Sequence, residues 1–71
     1  MRIQILTAAG FKYQGPHVFN DADKAIDYLR RRLNDNEIEW HTDPNEEGAA
    51  SAEIYTMLCG NPRRVATALI D

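Results

Sequence analysis

Three side chains in the sequence belong to the types that act as sulfur nucleophiles or as nitrogen and sulfur ligands for metals, namely His17, His41 and Cys59. Metal sites of these residue types usually bring two ligands within a few residues of each other, and no two of these three lie so close. Cys59 and His41 could pair as nucleophile and base, but most lone cysteines are packed or simply free. The sequence also lacks a glycine-rich phosphate loop and a nucleophile elbow. We therefore predict no catalytic residues, no metal site, no cofactor and no enzymatic activity.

Two clusters of arginine have the chemistry to recognise phosphate or carboxylate groups, because the planar guanidinium group offers paired donors to both. The candidate partner-binding residues are Arg30, Arg31, Arg32, Arg63 and Arg64, together with Glu46 and Glu47 from the acidic stretch between the clusters. For a nucleic acid, the candidates are Lys12, Tyr13, Arg30, Arg32, Arg63 and Arg64, since phosphate contacts are combined there with an aromatic ring.

The arginine triplet at residues 30–32 also has a simple structural interpretation. Consecutive residues of a helix are about 100° apart, so Arg31 points away from the apolar stripe while Arg30 and Arg32 flank it on opposite sides. Asp27 lies three and four residues before Arg30 and Arg31, within reach of ion pairs. A solvated helix end that complements the helix dipole is therefore an alternative to a binding site. The sequence leaves open whether the two arginine clusters form one patch.

Charge is unevenly distributed along the chain, whose net charge is -3. Residues 1–36 carry six basic and four acidic side chains, whereas residues 37–71 carry two basic and seven acidic ones. A pI near 5.2 is low for a nucleic acid-binding domain, whereas an acidic stretch can steer a protein toward a basic partner surface. The charge pattern therefore favours a protein partner over a nucleic acid.

The length of 71 residues allows one domain, which we place over residues 1–71. Domains of this size bury only about 60% of the surface that their unfolded chains expose, and a single cysteine excludes an internal disulfide. Small domains often gain stability from a partner or from self-association, and we expect one of the two here. Neither a signal peptide nor a run of about 18 apolar residues is present, so we predict a cytoplasmic protein without membrane contact.

The first half of the chain predicts a β-hairpin followed by a long helix. Residues 2–6 predict a strand, in which Ile3 and Ile5 alternate with Arg2 and Gln4. With further strand-like segments up to residue 19, they predict a hairpin over roughly residues 2–19. Residues 20–36 predict the helix, with Asn20 as the N-cap, an apolar stripe, and an asparagine-rich end that tolerates a left-handed C-cap.

The second half begins with an alternating segment, residues 37–42, that predicts a half-buried strand. Residues 43–46 then have the start signals of a helix, and residues 60–62 have the stop signals. Residues 53–58 also suit a strand that a turn at Gly60-Asn61 would join to a partner strand. We favour a helix between the two signals because they agree with an apolar helical stripe of Ala50, Ile54, Met57 and Leu58. We weakly favour a short helix over a strand for the C-terminal residues.

These elements together predict an α+β fold in the order β-β-α-β-α. It would have a small antiparallel sheet of about three strands, one long amphipathic helix packed on it, and a helical C-terminal portion. For function, we expect a non-catalytic protein-protein interaction module, a small acidic adaptor or inhibitor with the profile of short phage or mobile-element proteins. A nucleic acid-binding module that uses the clustered arginines is the alternative.

Overall fold

The computed structural model describes residues 1–7 and 17–71, which form one antiparallel sheet of five strands and one helix. The elements are β1 (Ile3–Thr7), β2 (Val18–Phe19), α1 (Ala22–Leu33), β3 (Glu39–Trp40), β4 (Ser51–Leu58) and β5 (Asn61–Ile70). The strands lie in the order β2-β1-β5-β4-β3, and the sheet curls into a half-barrel. In the described part of the chain, no helix is both long enough and apolar enough to cross a membrane.

The predicted α+β fold, with about three strands, one long helix and a helical C-terminal portion, is wrong. The C-terminal portion is a hairpin of the two longest strands, β4 and β5. Cys59 and Gly60 connect these strands with φ angles of 52° and 81°. Two consecutive positive φ angles are what a type I′ hairpin turn requires. The strand alternative was therefore correct for residues 53–58, with the turn one residue earlier than the sequence indicated.

Burial explains why the strand prevailed over the helix in this segment. In β4, Ala52 and Ile54 are buried while the residues between and beside them are at least partly exposed, which is a period of two. Met57 and Leu58, which belonged to the predicted helical stripe, are 47% and 50% exposed. The predicted helix start is a turn instead, in which the Oδ1 atom of Asp43 accepts a hydrogen bond from the backbone N–H of Asn45.

Helix α1 confirms the predicted helix in a shorter form. Its N-cap is Asp21 rather than Asn20, and the Asp21 Oδ1 atom accepts hydrogen bonds from the backbone N–H groups of Asp23 and Lys24. Asn34 ends the helix with a φ angle of 52°, the left-handed C-cap that the sequence predicts. Four residues of the predicted stripe are buried, Ala22, Ala25, Ile26 and Leu29. The fifth, Leu33, is partly buried and packs against the core.

The predicted N-terminal hairpin is confirmed where its two strands meet. Ile3 lies opposite Phe19, and Gln4 lies opposite Val18, in an antiparallel pair. The segment that connects these strands, residues 8–16, lies outside the described residues.

The hydrophobic core lies between α1 and one face of the sheet, which we call the inner face. Its fully buried strand residues are Ile3, Ile5, Ala52, Ile54, Ala66 and Ala68. In the middle of the sheet Ala52 lies opposite Ala68, and Ile54 lies opposite Ala66. Alternating large and small side chains in this way lets the alanines of the helix pack close to the strands.

Candidate functional site

The opposite face of the sheet, which we call the outer face, carries a mixture of exposed apolar and polar side chains. Successive residues of a strand point to opposite faces, so the neighbours of the buried positions point outward. Among them, Leu6 is 42% exposed, Val18 46%, Met57 47% and Leu69 44%. Within residues 1–7 and 17–71, no helix or strand packs over this face.

Three of these apolar side chains, Leu6, Val18 and Leu69, form what we call the apolar patch. Val18 and Leu69 are the two cross-strand neighbours of Gln4 in β1. Leu6 lies opposite Thr67 and therefore diagonal to Leu69, at a spacing that large side chains bridge. The register thus places three exposed apolar side chains, from three strands, around Gln4 on one face of the sheet.

The other end of the outer face contains a cavity of about 140 Å³, which we call the acidic cavity. Its lining includes Glu37, Glu39, His41, Tyr55, Met57 and Pro62. The rings of His41 and Tyr55 lie 4.3 Å apart between centroids, with their planes inclined by 37°. This end of the outer face therefore combines two carboxylates with a tilted pair of aromatic rings.

Between the apolar patch and the acidic cavity, the charges of the outer face are paired. Arg64 Nη1 lies 3.4 Å from the Oε1 atom of Glu53, and the Tyr55 hydroxyl donates to the Oε2 atom of the same carboxylate at 3.4 Å. Arg64, a candidate partner-binding residue, thus contributes little free positive charge to this face.

Arg30 makes contacts within the fold. Its Nε atom donates to the carbonyl oxygen of Ile38 at 2.8 Å, and its Nη1 atom lies 3.6 Å from the Oδ1 atom of Asp27. Ile38 comes directly before β3, which is an edge strand of the sheet. Arg30 therefore joins α1 to the β3 edge, as well as forming one of the ion pairs that the spacing from Asp27 predicts.

Arg31 and Arg32 line a groove of about 360 Å³ together with Tyr28. Tyr28 and Arg32 are one helical turn apart and share a flank of α1, and the Tyr28 ring lies 5.6 Å from that of Phe19 in β2. Since β2 and β3 are opposite edges of the sheet, Arg32 and Arg30 project toward opposite edges. Neither Arg31 nor Arg32 has an ion pair or side-chain hydrogen bond with another described residue.

The second arginine cluster is also divided between two surfaces. Arg63 lies opposite Thr56, and the Thr56 hydroxyl donates to the Oδ2 atom of Asp35 at 2.5 Å, just beyond the end of α1. Arg63 is therefore on the helix side of the sheet, whereas Arg64 is on the outer face. The structure does not gather the five arginines onto one surface.

The remaining predicted binding residues are distributed elsewhere. Glu46 and Glu47 are exposed in the segment before β4, where the Glu46 carbonyl oxygen accepts a hydrogen bond from the backbone N–H of Ala49 at 3.0 Å. Lys12 and Tyr13 lie outside the described residues.

The side chains with nucleophilic or metal-binding chemistry are not brought together. The His41 backbone N–H donates to the Glu53 carbonyl oxygen, so His41 lies beside Glu53, six strand positions before Cys59. At about 3.3 Å per residue, that separation is roughly 20 Å. Among the residues that the structure describes, no three His, Cys, Asp or Glu side chains are arranged to hold a metal ion.

Sequence reasoning missed both the apolar patch and the acidic cavity. The signal for the cavity is the alternation of residues 37–41 and 53–57, and the signal for the patch is the alternation of residues 3–6 and 66–69. Only the strand register shows which of these side chains meet. The fold and these surfaces define a small antiparallel sheet protein whose inner face is closed by one helix. No family model, curated protein or solved structure matches the chain.

Proposed function

We propose that this protein is a non-catalytic protein-binding module and that its binding surface is the outer face of the sheet. The observation that carries the proposal is the apolar patch of Leu6, Val18 and Leu69, which is 42–46% exposed on a face that no described element covers. Contiguous exposed apolar surface rimmed by polar residues is typical of protein interaction sites. The burial of such surface against a partner would also stabilise a chain this short.

The charge around the patch supports a protein as the partner. The acidic cavity contributes Glu37 and Glu39 to the same face, and Arg64 is neutralised by Glu53. A phosphate backbone would be repelled by such a surface, whereas a protein with apolar side chains flanked by basic ones would complement it. We therefore expect a partner of that chemistry.

The test compares substitutions inside and outside the apolar patch. The double substitution Leu6→Ser and Leu69→Ser removes two patch side chains, and Leu58→Ser removes an equally exposed leucine at the β4–β5 hairpin. The tagged protein is used to isolate a partner from an extract of the cells that produce it, and the purified complex is characterised by light scattering and titration calorimetry. We expect a stoichiometric complex that the double substitution weakens by about tenfold or more, and that Leu58→Ser leaves intact.

Two results would contradict the proposal. One is the absence of any stoichiometric partner from the extract. The other is a complex that tolerates the double substitution as well as it tolerates Leu58→Ser, because its interface would then lie elsewhere.

Nucleic acid binding is a second candidate function, favoured by the groove of Tyr28, Arg31 and Arg32. Unpaired guanidinium groups beside an aromatic ring suit a single strand, which binds by phosphate contacts and base stacking. Fluorescence anisotropy with a labelled single-stranded oligonucleotide tests this, and binding should weaken steeply as salt is raised. Arg31→Glu with Arg32→Glu should abolish the binding, whereas Arg63→Glu, on another surface, should reduce it less. No change in anisotropy at low salt would exclude this candidate.

A further inference from the structure

We propose that the acidic cavity is a subsite that binds one arginine or lysine side chain of the partner protein. This inference rests on the proposed protein-binding function and adds the chemistry that the partner must present. The acidic cavity lies on the same outer face as the apolar patch, but at the other end of that face.

The cavity exists because β3 is much shorter than β4. β3 has two residues, and they pair with Tyr55 and Ile54. Met57 lies further along β4, opposite Pro62 of β5, so it has no partner in β3. The gap beside it becomes a concave space of about 140 Å³, which is of the size of one side chain rather than of a small-molecule substrate.

The carboxylates at this cavity are available to a cation. Neither Glu37 nor Glu39 has a side-chain hydrogen bond or an ion pair with another described residue. Of the arginines nearest the cavity, Arg64 is held by Glu53 and Arg30 by Ile38 and Asp27. Arg63 lies opposite Thr56, on the helix side of the sheet. A guanidinium or ammonium group that enters the cavity would therefore meet two carboxylates that have no ion pair with any described residue of this chain.

The uncharged part of the lining suits the rest of a basic side chain. Tyr55, whose ring is tilted against that of His41, provides an aromatic ring for a cation, which is attracted by the negative face of such a ring. Met57 and Pro62 provide apolar contacts for the methylene groups, since the stems of lysine and arginine pack on apolar surface while their charged ends reach polar groups. Arginine is the better match because its planar group both stacks and binds carboxylates through paired donors.

Trp40 borders the cavity, but it lies opposite Ile54 and packs against the core on the inner face. Its backbone N–H lies between those of Glu39 and His41, so the backbone signals of these three residues report occupancy in an NMR spectrum.

The experiment uses the full chain and three capped tripeptides, followed by ¹⁵N-¹H NMR. The probes are acetyl-Gly-Arg-Gly-amide, the same peptide with lysine, and the same peptide with citrulline, which has the shape of arginine without its charge. We expect saturable shifts at the backbone N–H groups of Glu39, Trp40, His41 and Met57 with the arginine and lysine peptides. The citrulline peptide should bind at least about tenfold more weakly.

The matched variants change the same charge at two places. Glu37→Gln with Glu39→Gln removes both cavity carboxylates, and we expect it to weaken the arginine peptide about tenfold. Glu46→Gln with Glu47→Gln makes the identical charge change in the exposed segment before β4 and should leave binding within about twofold. Circular dichroism verifies that both variants are folded, which the exposure of all four side chains leads us to expect.

Several results would overturn the inference. They are the absence of shifts at the cavity, equal binding of the citrulline peptide, and equal losses in the two double variants. Tighter binding of spermidine than of the arginine peptide would assign the cavity to free polyamines instead of a protein side chain. A partner complex that depends on Leu6 and Leu69 but not on Glu37 and Glu39 would refute this subsite alone and leave the proposed function in place.

Discussion

The inner and outer faces of the sheet are built from the same strands, yet large apolar side chains are buried on the inner face and exposed on the outer face. On the inner face, Ile3, Ile5 and Ile54 are at most 1% exposed. On the outer face, Leu6 and Leu69, from the same strands or their direct neighbours, are more than 40% exposed. Strand propensity cannot account for this difference, because both sets fit a pleated strand equally well.

The difference comes from what each face contacts. Helix α1 buries the inner face, where alanines and isoleucines interlock with the helix stripe, so these side chains stabilise the fold. The apolar side chains of the outer face leave between 42% and 47% of their surface exposed, so they contribute less to folding than those of the inner face. Their presence is better explained by a second molecule, which is the basis of the proposed function.

The largest effect that the comparison predicts is on stability, from truncating one apolar side chain on each face. Ile54→Ala should lower the free energy of unfolding by about 3 kcal/mol, since it removes buried methyl groups and leaves a cavity. Leu69→Ala should lower it by less than about 1 kcal/mol, because the leucine is nearly half exposed. Urea denaturation followed by circular dichroism measures both. Equal losses in the free energy of unfolding would mean that the outer face is buried as well, which would contradict the difference between the two faces.

The second prediction concerns a hydroxyl group on each face. Thr56→Val removes the hydrogen bond to the partly buried Asp35 carboxylate, and it should destabilise the protein by about 1–2 kcal/mol. Thr67→Val, on the outer face, removes a hydroxyl without a side-chain hydrogen bond among the described residues and should change stability by less than about 0.5 kcal/mol. Chemical denaturation distinguishes the two. If Thr56→Val were neutral, the end of α1 would not be anchored to β4 in this way.

The third prediction tests the turn that sets which side chains face inward. Gly60 has a φ angle of 81°, so Gly60→Ala should destabilise the hairpin by about 1 kcal/mol. Cys59→Asn should instead stabilise it by a fraction of that, about 0.5 kcal/mol, because asparagine adopts positive φ angles more readily. Thermal melting of both variants is the measurement, and melting shifts of the reverse sign would show that the turn is not of type I′.

The smallest expected effect is at Trp40, whose indole N–H is buried without an acceptor. Trp40→Phe removes some apolar contact, but it also removes a donor that lost its water on folding. These terms oppose each other, so we expect stability to change by less than about 1 kcal/mol. A loss of more than about 2 kcal/mol in denaturation would show that the indole N–H has a hydrogen-bond acceptor after all.

Local signals predicted some of these elements correctly. The apolar stripe of α1 repeats over three turns, and the helix ends at Asn34. Apolar and polar side chains alternate at the start of β1. Each pattern could therefore be recognised without knowledge of the other segments of the chain. The exception within α1 is the N-cap, where Asp21 prevailed over Asn20. Both residues suit the position, and only the chain path before the helix selects between them.

The acidic cavity and the apolar patch were not predictable in the same way. Glu39 and Tyr55 are far apart in sequence, and so are Leu6 and Leu69. They meet through antiparallel pairing, and the sequence predicted the wrong element for one partner of each pair, namely a helix at Tyr55 and at Leu69. The arginine clusters show the converse, because arginines that are adjacent in sequence, such as Arg63 and Arg64, lie on different surfaces of the fold.

What the sequence by itself determined is therefore the local order: strand β1, helix α1 with its left-handed end, and the spread of the three arginines around that helix. The reason is that capping, periodicity and turn chemistry act between residues a few positions apart. Only the tertiary structure decided that residues 51–70 form a hairpin in the middle of the sheet, and therefore which side chains form the outer face. Strand pairing is a long-range interaction, and burial of the inner face against α1 outweighed the helix signals of that segment.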